Sequence, residues 1–143
     1  MSTRCNIIIR QRYYKDIYLY HHSDGGPACV GSVLFELCKK SNEKGLCLNN
    51  MTLANMLVKR GVTLVDKEGQ IVKIDDKYEI TSDIHGDIDY LYTIDILYDN
   101  VYGYTELSIM AYYVKDEDYK VNLDKKRAVI IPYSDDDPLH VQI

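Results

Sequence analysis

The stretch Asp87-Ile88-Asp89-Tyr90-Leu91-Tyr92-Thr93-Ile94-Asp95-Ile96-Leu97-Tyr98 alternates residue by residue. Ile88, Tyr90, Tyr92, Ile94 and Ile96 point one way, and Asp89, Leu91, Thr93, Asp95 and Leu97 the other. Successive side chains on a strand leave opposite faces, so the pattern predicts a long β-strand over residues 87–98. Residues 99–103 have a turn composition, and residues 104–115 form a second run of similar length. Together they predict an antiparallel hairpin.

Upstream, CNIIIR (residues 5–10) and IYLYH (residues 17–21) are β-branched and aromatic runs on either side of the polar residues 11–16. They predict another hairpin, with Cys5, Ile7 and Ile9 on one face and Ile17, Leu19 and His21 on the matching one. Pro27 follows two glycines and suits the first position of a helix. Val30, Val33, Leu34, Leu37 and Cys38 then recur at helical spacing, and Lys39 and Lys40 suit the last turn. A second helix is predicted from Asn50 or Thr52 as cap to Gly61, with Leu53, Met56 and Leu57 inward. Residues 62–65 and 70–74 flank a turn at 66–69, and short strands are predicted at 77–82, 119–123 and 127–133. The order of strands, two helices and more strands predicts an α+β fold: a mainly antiparallel sheet with two helices packed on one face.

The chain has 143 residues, 46% of them hydrophobic and 27% charged, which suits a single globular domain over residues 1–143. A net charge of −5 argues against gripping duplex nucleic acid or an anionic membrane through a broad basic surface, while leaving room for a local basic pocket. No apolar run is long enough to span a bilayer. Fourteen tyrosines stand against one Phe and no Trp, giving many flat rings with a polar tip. The cysteines at 5, 29, 38 and 47 form no C-x-x-C pair, and Cys29 and Cys38 fall on the apolar helical stripe. Reduced thiols in a cytoplasmic setting are the expectation.

Three segments carry candidate chemistry. The turn His21-His22-Ser23-Asp24-Gly25-Gly26-Pro27 leads from a strand to a helix start, where glycines admit close approach and free N–H groups favour a phosphate or carboxylate. It lacks the Lys-Ser/Thr pair of a P-loop, and it also reads as a plain turn in which Ser23 or Asp24 caps the helix. In Ile84-His85-Gly86-Asp87-Ile88, His85 and Asp87 flank a glycine and can serve one spot, or simply satisfy each other. Arg4 and Asn6 stand at the start of the first strand, where an arginine forks a phosphate or makes a surface ion pair. Zinc-ligand spacings and a G-x-S-x-G elbow are both missing, so neither a metal nor another cofactor is expected.

Taken together, Ser2-Thr3-Arg4 with Asn6-Ile7, then Tyr20 with His22-Ser23-Asp24-Gly25 and Pro27, then Ile84-His85-Gly86-Asp87-Ile88 with Tyr90-Leu91-Tyr92 resemble a family of small phage and prophage proteins. Members open with an S-T-R-x-N-I strand, carry an R-H-S-D-G-Y-P turn and end near I-H-G-D-I-E-Y-L-Y. The resemblance spans residues 1–97 and implies a viral setting, with no activity attached. His21 stands where an arginine is usual, and Gly26 replaces an aromatic; residues 98–143 extend beyond the match as additional strands.

The leading expectation is a phage-encoded, anti-defence binding protein in the host cytoplasm. It would sequester a nucleotide-derived or other phosphorylated small ligand through Arg4, Asn6, His21, His22, Ser23, Asp24, Gly25, Gly26, His85 and Asp87, in a possible homo-oligomer. One alternative is a metal-dependent hydrolase or nuclease using His22, Asp24, His85 and Asp87. The other is an inhibitor that blocks a host protein by direct contact.

Overall fold

The computed structural model describes residues 3–75, 78–116, 119–121, 123, 128–130 and 136–139. The two alternating runs pair as expected: β6 (Tyr90–Tyr98) and β7 (Thr105–Tyr113) form an antiparallel hairpin in continuous register, closed by Gly103 at φ +73°. The upstream hairpin also forms, from β1 (Cys5–Gln11) and β2 (Ile17–His21). With β5 (Glu79–Thr81) and β8 (Tyr119–Lys120) they build a six-stranded sheet in the order β5-β2-β1-β6-β7-β8. Every neighbouring pair is antiparallel except β1 and β6, which run parallel.

The helical stripe folds as one turn of wide π geometry (Pro27–Gly31) continuing into α1 (Ser32–Glu43), and α2 spans Asn50–Arg60. α1 packs on β7, and α2 on β1 and β2. Both helices therefore cover the sheet face that bears Cys5, Ile7, Ile9, Leu19, Tyr92 and Ile94, all fully buried. Val30, Val33, Leu34, Leu37, Leu53 and Leu57 meet them from the helices. Each such side chain contributes roughly 1.5–3 kcal/mol when buried. The fold is α+β, with a mainly antiparallel sheet.

Several boundaries differ from the sequence reading. The long strand begins at Tyr90 rather than at residue 87, because the N–H groups of Asp89 and Tyr90 both turn to the Arg4 carbonyl (2.8 and 3.2 Å). Alternation continues upstream only because Ile88 is buried while still in the loop. The cap of α2 is Asn49, whose side chain accepts from the Thr52 N–H at 2.8 Å. The N-cap of the first helix is Gly26, whose carbonyl accepts from the Cys29 and Gly31 N–H groups, while the Asp24 carbonyl accepts from the Val30 N–H, each at 3.1 Å. β3 (Val62–Val65) and β4 (Ile71–Asp75) form the expected hairpin but belong to a separate three-stranded sheet, β4-β3-β9, with β9 at Ala128–Val129. Ser2, Lys77, most of the strand expected at 127–133 and the tail 140–143 lie outside the described residues.

All four cysteines are thiols; Cys5, Cys29 and Cys38 are buried and Cys47 is exposed. Burial pushes the Cys38 thiol up to about 12 and that of Cys5 higher still, so both remain neutral space-fillers. Among the described residues no helix is long and apolar enough to cross a membrane.

Candidate functional site

The topology explains why the three motifs meet. β2 runs antiparallel to β1 and β6 parallel to it, so Cys5 pairs with His21 on one side and Tyr90 on the other. The end of β2, the start of β1 and the loop before β6 thus share one end of the sheet.

On the face opposite the helices, Asn6 is fully buried. Its amide donates to the Leu19 carbonyl (2.9 Å), and its Oδ1 accepts from the His85 N–H (2.7 Å). The His85 ring lies flat on Tyr20, with centroids 4.0 Å apart and planes 11° from parallel. The Arg4 guanidinium pairs with Asp87 at 3.0 Å, both side chains about half exposed. Tyr20 OH reaches the same carboxylate at 3.4 Å, a long contact. Burial, then Asp87, raises the Tyr20 phenol.

Beside this pair, Asp89 accepts from the Arg4 N–H (3.1 Å) and pairs with Lys115 at 2.6 Å. Those contacts, Lys115 first, hold the Asp89 carboxyl below the ordinary carboxylate range, and Asp89 in turn raises the Lys115 ammonium. Tyr20, Asp89 and Lys115 were not among the expected ligand-binding residues. Lys115 reaches the site only through the β6–β7 register, which sets Tyr113 opposite Tyr90.

The glycine turn holds a different position. His21 is fully buried on the core face, 4.9 Å from the Tyr78 ring, with Nδ1 in hydrogen-bonding contact with the Ser23 carbonyl. His22 lies 6.0 Å from it, ring to ring. Asp24 adopts φ +53°, a left-handed conformation that aspartate tolerates. Gly25 is pressed onto the chain itself: its N–H donates to the Thr3 carbonyl (3.0 Å), and its carbonyl accepts from the buried Tyr92 hydroxyl (2.8 Å). A Cβ there would stand 2.9 Å from the Cys5 nitrogen, whereas one on Gly26 would meet nothing closer than 3.9 Å. The close approach that demands glycine is therefore strand-to-turn packing.

Of the expected residues, Arg4, Asn6, His85 and Asp87 are joined in one group through Tyr20. His21 and Gly25 sit inside the fold, and His22, Ser23, Asp24 and Gly26 occupy the adjoining turn. Among the described residues no set of three or more His, Cys, Asp and Glu side chains is placed to hold a metal ion. What the group offers is a pair of partly exposed cations, each steadied by a carboxylate, beside a stacked ring pair. Compared with protein-family models, curated proteins and solved structures, the chain matches none.

Proposed function

We propose that the chain is a phage-encoded accessory protein that captures a phosphorylated, nucleotide-like small molecule, such as a host defence signal, without transforming it. The observation that carries this reading is the Arg4–Asp87 pair at 3.0 Å next to the His85–Tyr20 stack and the Lys115–Asp89 pair. An exposed ion pair contributes at most about 1 kcal/mol, so a phosphate can take over the guanidinium cheaply. Arginine forks phosphate oxygens in bidentate fashion, and the carboxylates fix both cations before a ligand arrives, which lowers the entropy lost on binding. The viral setting rests on the resemblance of the three sequence motifs to those of phage proteins, and a host cytoplasm suits four thiols. The hydrolase alternative draws no support from donor placement among the described residues.

Inorganic pyrophosphate at low salt, where exposed charges are least screened, tests the anchor. The melting temperature is expected to rise with concentration as RT ln(1 + [L]/Kd) requires, and Arg4→Gln is expected to abolish the rise. An absent shift, or one untouched by Arg4→Gln, overturns the reading.

A further inference from the structure

The opposite end of the sheet, where β1 and β6 finish, is built differently. A cleft of about 660 Å³ opens there between residues 11–14, 47–49 and 96–98. That volume falls within the roughly 300–1,000 Å³ usual for small-molecule sites. We propose that this cleft is a second ligand site, which takes a planar aromatic anion stacked on the exposed tyrosines with its charge at Arg12. The proposal goes beyond the capture reading and uses none of its residues.

Exposed apolar surface is concentrated here. Among the described residues eleven large apolar side chains are exposed, and six of them lie at this end: Tyr13 and Tyr14 in the β1–β2 turn, Leu97 and Tyr98 at the end of β6, and Val101 and Tyr102 in the β6–β7 turn. Such clustering marks binding surfaces. Tyr13 is 89% exposed and has φ +74°, at a turn closed by the Tyr14 N–H on the Gln11 carbonyl (3.0 Å). A bulky residue is an outlier in that region, where glycine is normally found. The fold gains neither burial nor backbone ease from Tyr13, and outliers of this kind cluster at ligand sites.

The charge selects the ligand. In a chain with 22 acidic residues, the cleft lining contains no Asp or Glu and one cation, Arg12. Its guanidinium lies 4.9 Å over the Tyr13 ring, and no ion pair engages it among the described residues. Arg10, its neighbour, is by contrast forked onto Asp95 at 2.8 and 2.9 Å. Other polar groups of the wall serve the fold: Gln11 accepts from the Asn50 N–H, and Thr105 accepts from the Leu48 N–H and donates to the Leu46 carbonyl. One guanidinium beside several rings matches a single anionic group on a flat apolar body. A nucleic-acid strand needs a run of cations that a chain of net charge −5 does not provide here.

The test uses the full chain with naphthoate, a bicyclic ring with one negative charge, and the neutral naphthyl alcohol as its control. Naphthoate is expected to bind saturably, one per chain, and the alcohol at least about ten-fold more weakly. Arg12→Gln should bring the two probes level. Tyr13→Gly, which suits the backbone and leaves the melting temperature in place, should weaken both by about ten-fold. Equal binding of the two probes, no binding, or full binding by Tyr13→Gly overturns the proposal. Tighter binding of a single-stranded oligonucleotide than of naphthoate overturns it in favour of a strand. Arg4→Gln separates the two readings: it should leave naphthoate binding intact while removing the response to pyrophosphate. Loss of naphthoate binding in Arg4→Gln overturns the second site, and failure of pyrophosphate alone overturns only the capture reading.

Discussion

The two ends of the central sheet use polar and aromatic side chains in opposite ways. Where β1 begins, Asn6, His85, Tyr20, Asp87, Arg4, Asp89 and Lys115 hold one another and close three segments into a junction. Where β1 finishes, Tyr13, Tyr14, Tyr98 and Tyr102 are exposed, and Arg12 lies over the Tyr13 ring. Among the described residues each end also contains one left-handed residue other than glycine: Asp24 at the first and Tyr13 at the second. Aspartate takes that conformation easily; tyrosine does not. The first end thus spends its polar groups on folding and leaves two cations at its rim, while the second tolerates exposure and strain that bring no stability.

Substitutions that remove stability at the first end should be nearly silent at the second. Asn6→Ala has the largest expected effect, since it removes the acceptor of the His85 N–H and a buried side-chain donor to the Leu19 carbonyl; we expect a loss of about 2–4 kcal/mol by urea denaturation. Gly25→Ala forces a Cβ against the Cys5 nitrogen, and overpacking of this kind costs about 1–3 kcal/mol. A result near zero for either would mean the junction is looser than described.

Asp89 gives a pH signature. Its carboxyl is depressed in the fold by Lys115 and the Arg4 N–H, so its contribution is present above the unfolded carboxylate value and disappears as pH falls through the lower folded one. Asp89→Asn should therefore be less stable than the parent at neutral pH, with the gap closing in acid. A gap independent of pH would contradict the assignment. The smallest effect belongs to the second end, where Tyr13→Gly should leave stability unchanged or raise it by less than about 1 kcal/mol. A marked loss there would show that the exposed ring is structural.

The sequence made the separate elements legible and left their arrangement open. Alternation located β6 and β7, and helical spacing found the buried stripe from Val30 to Cys38, because each signal is local. The parallel pairing of β1 with β6 joins residues 85 apart and leaves no local trace, yet it alone brings Arg4 to Asp87. Asn49 and Asn50 are both good caps by composition. The structure separates them: Asn49 receives Thr52, while the Asn50 side chain reaches the Lys15 carbonyl at 2.7 Å. The glycine turn reads in the sequence as a place where a ligand can approach closely; in the structure the close approach at Gly25 is to the chain's own first strand, a distinction that needs Cys5 in place. Tyr13 carried no signal at all, since positive φ at tyrosine is not a residue preference.

The separateness of the two ends is tested most directly by mapping amide chemical shifts in one labelled sample, first with pyrophosphate and then with naphthoate. We predict two disjoint sets of perturbed amides: Arg4, His85, Asp89 and Lys115 for the first, and Arg12, Tyr13 and Tyr98 for the second. A common set for both probes, or pyrophosphate acting at Arg12 and sparing Arg4, would contradict it.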